Sequence, residues 1–150
     1  VIAGKFLGTR GLAAVGASYP ITAIYTAVAL GMNIGCTVVI SQFFGGKKIE
    51  EMKTAISTAA VTFLSMAAVL LILGLLFCKG LLQVLDTPTS VFTSASDYLY
   101  IYTLGLPFVF LYNMCTGAFT ATGDSFTDIF LCVDSFWHIS LQAIFLWVFL

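Results

Sequence analysis

The chain has 150 residues, 60% of them hydrophobic and 9% charged, with a net charge of −1 and a mean hydropathy of +1.06. Soluble domains carry about 45–50% apolar and about 25% charged residues, so a water-soluble globule is excluded. The small net charge gives no basic field for nucleic acid.

Charges fall in short clusters, leaving residues 11–46, 54–78 and 98–123 without one, runs of 36, 25 and 26 residues. About 20 apolar residues at ~1.5 Å rise each cross the ~30 Å hydrocarbon core of a bilayer, so every run is long enough to span. Taken in chain order, 1–7 reads as the tail of a preceding helix, and spans are expected at about 18–41, 54–78, 92–120 and 126–150. Short connections make consecutive spans antiparallel neighbours. The predicted fold is therefore all-α and integral to the membrane, a bundle of antiparallel helices forming one partial transmembrane domain. The chain opens on Val1-Ile2-Ala3 and closes on an apolar run ending at Leu150, which reads as an internal piece of a larger multi-pass protein.

Several positions carry local expectations. In the first span Gly31 and Gly35 have the G-x-x-x-G spacing that lets helix backbones approach closely. Residues 80–85 form a brief apolar piece expected to lie at the interface. Thr87 followed by Pro88 reads as an N-cap and first helical position of the third span. Tyr98, Tyr100 and Tyr102 read as an interfacial aromatic belt. Near the middle of that span, Gly105 and Pro107 predict a kink, because proline removes an intrahelical hydrogen bond; the kink serves either structure or gating. Lys47, Lys48, Glu50, Glu51 and Lys53 read as a solvated loop and helix start. Three basic residues lie on each side of the membrane, and their concentration in the 45–53 loop leans toward that loop being cytoplasmic.

No nucleotide-binding loop, hydrolase elbow or metalloprotease motif occurs, so no enzyme activity is expected. Cys36, Cys78, Cys115 and Cys132 lack ligand spacing, with no metal site or cofactor implied; all but Cys78, which sits at a run's end, read as packing residues. Candidate chemistry instead lies in polar groups at membrane depth. Asn33 is mid-span in the first helix. Asn113, Thr116 and Thr120 share one face of the third, and Asp134, His138 and Gln142 recur at i, i+4, i+8 in the fourth. A hairpin turning near Gly123 would carry Asn113 and Asp134 to a similar depth, about 15 Å from the turn. A carboxylate there costs ~2.5–3.5 kcal/mol on insertion scales and by default marks an ion or proton path. The competing reading is an Asp134–His138 pair that only holds the bundle together.

Four motifs then carry a resemblance. Gly4-Lys5-Phe6-Leu7-Gly8, with Gly11 to Gly16 and Pro20, resembles the segment after the first helix of the multidrug and toxic compound extrusion (MATE) transporters. Ser41-Gln42-Phe43-Phe44-Gly45-Gly46-Lys47 resembles their second-to-third helix loop. Tyr98 through Pro107 is similar to their fourth helix, and Ala121-Thr122-Gly123-Asp124-Ser125 with Thr127 to the loop after it. The resemblance covers residues 1 to about 127 and implies the end of helix 1 through helix 5 of a six-helix N-terminal lobe in a twelve-helix transporter. It implies a cytoplasmic 45–53 loop, and export of cationic or amphipathic organic compounds in exchange for H⁺ or Na⁺ across a bacterial-type plasma membrane. Asn113 matches the family's helix 4 asparagine. In helix 5 the places of the family's Asn and Asp hold Ile139 and Ala143, the usual basic residue before the Gly-Asp loop is Thr120, and the usual proline after Thr127 is Asp128.

The expected function is accordingly an ion-coupled antiporter segment. Asn113, Thr116, Asp134, His138 and Gln142 would line the cation or substrate path, and Asp134 with His138 would substitute for the family's helix 5 pair. The alternatives are a flippase of the same superfamily carrying a lipid-linked precursor, and a non-transporting scaffold or degenerate fragment.

Overall fold

The computed structural model describes residues 8–123, which form four helices: α1 (Gly8–Gly45), α2 (Ile49–Val84), α3 (Thr89–Leu104) and α4 (Leu106–Thr122). α1 and α2 are each long and apolar enough to cross a membrane, and α3 with α4 passes the same test only as a pair bent by 45°. At ~1.5 Å per residue both long helices exceed the ~30 Å hydrocarbon core, so they tilt or project from it.

Among the described residues, each of the first three spans extends beyond its predicted limits. Helical hydrogen bonding continues past the apolar run into residues that face headgroups and water, and hydropathy does not register it. α1 runs back through Gly16 and Pro20 to Gly8. Pro20 cannot donate to the Gly16 carbonyl, yet the helix continues across it; in membrane helices neighbouring helices and Ser/Thr side chains re-satisfy freed backbone groups. α2 begins at Ile49 with Glu50 and Glu51 in its first turn, where they favour the positive end of the helix dipole. Its other end takes in residues 80–84, so the expected interfacial piece is the last turns of this helix.

Both long helices stop in the same way. Lys48 N–H donates to Phe43 O and Lys47 N–H to Phe44 O, at 2.9 and 3.0 Å; Thr87 N–H donates to Leu82 O and Asp86 N–H to Gln83 O, at 3.2 and 3.0 Å. These paired bonds satisfy the last carbonyls as in a Schellman motif. Lys47 and Asp86 hold the left-handed position, with φ 56° and 49°. Thr87 does not cap α3. Pro88, at ψ 139°, is itself the non-helical boundary residue, and the Thr87 hydroxyl is buried with no hydrogen-bond partner.

α1 is the central element and packs against each of the others. Its buried stripe of Ala14, Ser18, Ile21, Tyr25 and Ala29 follows the helical period. Small residues let the seams close: Ser18 Oγ reaches Ala95 O of α3 at 3.3 Å, and Cys78 Sγ of α2 lies 3.7 Å from Ser96 O. Deeper in, Phe63 and Phe110 pack edge to face at 6.3 Å. The outward faces carry Leu12, Ile24, Ile34, Val61, Ile72 and Leu76, all exposed. Such continuous apolar surface belongs against lipid.

The tyrosine belt divides. Tyr100 is exposed, whereas Tyr98 and Tyr102 are only partly so. Tyr102 stacks on Tyr25 at 6.5 Å and 13°, and Tyr98 tilts against Tyr102 at 6.2 Å. Residues 98 and 102 share a face that residue 100 does not, so Tyr102 serves the α1–α3 seam with Tyr98 packed against it.

Candidate functional site

The third span breaks where its sequence demands it. Gly105 closes α3 by donating to Ile101 O and Tyr102 O at 3.2 and 3.0 Å, and Pro107 stands in the first turn of α4. Pro107 lacks the N–H that would continue the ladder. The 45° bend re-aims α4 so that its Asn113 and Gly117 face meets α1.

At that crossing Asn33 of α1 donates from Nδ2 to the main-chain oxygen of Asn113 and to Thr116 Oγ1 at 3.1 Å. One turn on, the Thr37 hydroxyl lies 2.9 Å from Asn33 O and 3.2 Å from Gly117 O. Asn113 donates its own Nδ2 to Val109 O at 2.8 Å, and Thr116 Oγ1 lies 3.0 Å from both Tyr112 O and Asn113 O. Each carbonyl has two lone pairs, so those of α4 accept from α1 without leaving their own ladder.

Gly117 makes this approach possible. A Cβ there would sit 3.1 Å from Thr37 Oγ1 and 3.3 Å from the Asn33 backbone oxygen. Asn33 is twelve residues from Gly45 and Asn113 nine from Thr122, so at ~1.5 Å rise both lie about 13–18 Å inside their helix ends, near the middle of a ~30 Å core. With each Nδ2 so engaged, Oδ1 is the acceptor atom of each asparagine side chain. The seam thus brings two uncharged oxygen acceptors to membrane depth, the donor type that hard cations take.

The sequence-predicted residues are distributed unevenly. Asn113 is buried and Thr116 partly buried, both in this seam. Gly105 and Pro107 sit at the break. Gly31 and Gly35 are exposed, and a Cβ at either would meet nothing within 4 Å, so no described helix uses the G-x-x-x-G face. Asp134, His138 and Gln142, and with them the expected meeting of Asp134 with Asn113, lie outside the described residues. Thr37 and Gly117 were not singled out by sequence, although each stands four residues from an asparagine on the same face.

Asn33→Ala is expected to lower stability by about 0.5–1.7 kcal/mol, the range for interhelical hydrogen bonds in membranes. The Asn113 carbonyl keeps Thr116 Oγ1 as a partner at 3.0 Å, so no orphaned acceptor adds to the loss. Reversible unfolding in mixed micelles measures it, and a loss above ~3 kcal/mol would mean that more than these bonds is broken.

Long apolar helices and a broken third span with polar residues at mid-membrane depth define an integral membrane protein of all-α build. The chain belongs to the MatE family, whose match covers residues 1–142. It is 29% identical over 132 residues to the probable multidrug resistance protein YoeA of Bacillus subtilis (strain 168), covering 88% of this chain and 28% of that one. It is 30% identical over 126 residues to the probable multidrug resistance protein YpnP of the same organism, covering 84% and 28%. An FAD transporter of Shewanella oneidensis is 25% identical over 119 residues, covering 79% and 26%. The chain thus spans little more than a quarter of the length of these relatives. No solved structure matches it. The family match runs past Asp128, where the motif resemblance was expected to fade, and takes in Asp134, His138 and Gln142.

Proposed function

We propose that the chain is part of the N-terminal lobe of a multi-pass antiporter that exports cationic or amphipathic organic compounds across the plasma membrane, driven by H⁺ or Na⁺. The observation that carries this reading is the polar α1–α4 seam at mid-membrane depth in a chain of the MatE family. Asn113 and Thr116 contribute oxygen ligands to the path, and Asp134 with His138 and Gln142 supplies the group that binds and releases the coupling ion. The lobe's role is binding and alternating exposure, with no covalent step. Two relatives bear the name of multidrug resistance proteins, which supports the cargo class.

The test uses the full-length protein in cells stripped of their own efflux pumps. Ethidium accumulation is expected to fall on expression and to recover when the H⁺ and Na⁺ gradients are collapsed together. Accumulation that stays low without either gradient would remove ion coupling from the proposal. The relative named as an FAD transporter favours a second reading, a dinucleotide cargo. Gradient-dependent movement of FAD, with ethidium untouched, would select it.

A further inference from the structure

A groove of about 660 Å³ lies between α1 and α2 at the end of the bundle that carries the 46–48 turn. The Asn33–Asn113 seam does not use it. Its walls are apolar, with Cys36, Val39 and Phe43 from α1 facing Ala59 and Phe63 from α2. Along α2 it runs from Glu50 to Phe63, thirteen residues or about 20 Å. One leaflet contributes half of the ~30 Å hydrocarbon core, so a groove that begins at the headgroup level and ends near the midplane has the length of a single acyl chain.

The threonines in the wall are no obstacle. Thr54, Thr58 and Thr62 return their hydroxyls to the carbonyls of Glu50, Thr54 and Thr58 at 3.0, 2.8 and 2.8 Å. Their polarity is satisfied within the helix, so they need no water.

The mouth selects the headgroup. Glu50 and Glu51 line it, and Lys47 and Lys48 stand exposed on the adjoining turn. Glu50 pairs with Lys53 at 2.8 Å, while Glu51 has no ion pair among the described residues. Two carboxylates beside the three ammonium groups of Lys47, Lys48 and Lys53, with Glu50 engaged by Lys53 and Glu51 left over, offer both signs of charge to a zwitterion. A purely anionic headgroup would pair with the lysines and leave Glu51 without a cation, and a simple amphipathic cation would leave the lysines unmatched.

We propose that this groove holds one acyl chain of an amine-bearing phospholipid, with the lipid ammonium at Glu50 and Glu51 and its phosphate at Lys47 and Lys48. The proposal is independent of the transport reading, because it uses none of the path residues. The bilayer would then be a specific ligand at this face.

The test is native mass spectrometry of the full chain, released from detergent after addition of phosphatidylethanolamine or phosphatidylglycerol of identical acyl composition. A one-to-one adduct is expected at about tenfold lower phosphatidylethanolamine than phosphatidylglycerol concentration. Ala59→Trp, which fills the groove, is expected to remove the adduct. The Glu50→Gln, Glu51→Gln pair should bring the phosphatidylethanolamine affinity to that of phosphatidylglycerol while leaving the latter unchanged. Helicity by circular dichroism confirms folding, and the exposed glutamates keep the test decisive should the tryptophan variant fail to fold. Equal affinity for the two lipids, a preference that survives the glutamine pair in folded protein, or absence of any adduct because another segment of the protein covers the groove would each overturn the proposal.

Discussion

Gly74→Ala is expected to destabilise the junction of α1, α2 and α3 by about 1–3 kcal/mol, the cost of overpacking a closed interior. A Cβ at Gly74 would lie 2.6 Å from both Thr103 Cγ2 and the Tyr25 hydroxyl. Neither group can withdraw cheaply. Tyr25 is a rigid ring stacked on Tyr102, and the Thr103 hydroxyl is tied to Leu99 O at 2.7 Å. Alanine gains about 1 kcal/mol of helix propensity over glycine, which offsets part of the clash and does not cancel it. Gly31→Ala provides the contrast, since the same propensity gain arrives with nothing within 4 Å; it should be neutral or stabilising. Reversible unfolding of the two variants in mixed micelles compares them directly. Equal stabilities would show that the helices do not cross where Gly74 meets Tyr25 and Thr103.

The contrast between these two glycines also shows what sequence could reveal about this fold. Gly31 and Gly35 attract attention because their spacing is a known packing signal, yet the helix turns them outward in the described structure. Gly74, in an apolar run with no companion glycine, is where three helices meet. Spacing identifies a face, and only the crossing geometry decides which face is used. The Gly105–Pro107 break was legible for the opposite reason: proline removes one particular hydrogen bond, a local event that needs no partner. Asn33 and Asn113 were visible singly as polar residues at membrane depth. Their pairing across 80 residues was not, because it depends on the rotation of α4 after the break. Helix ends were misjudged wherever hydropathy stood in for hydrogen bonding. The Glu50–Lys53 turn is both charged and helical, and residues 80–84 continue a helix that the charge of Lys79 had seemed to close.

Asp134→Asn, in the full-length protein, is expected on the proposed function to abolish gradient-driven efflux while leaving the protein in the membrane at its normal level. Asp134 is the one formal charge in the apolar stretch 129–150. An ionised carboxylate at the centre of a span costs ~2.5–3.5 kcal/mol on insertion scales, whereas asparagine keeps nearly the same shape and carries no charge to insert. On a purely structural role that saving is set against the lost Asp134–His138 contact, so stability changes while the protein that remains folded still transports. On a coupling role the same change removes the carboxylate that, with His138, exchanges a cation or proton for cargo, and the gradient loses the anionic site it acts on. The two readings thus part on transport per folded protein, retained on a structural role and lost on a coupling role. Ethidium efflux under an imposed pH or Na⁺ gradient, measured alongside thermal unfolding, reads both at once. Gly74→Ala serves as the control for a loosened bundle, since it strains the junction of α1, α2 and α3 without touching the polar seam or a charge. Efflux lost in Asp134→Asn at undiminished stability, and retained in the less stable Gly74→Ala, would locate coupling in the carboxylate; retained efflux in Asp134→Asn would return that residue to packing.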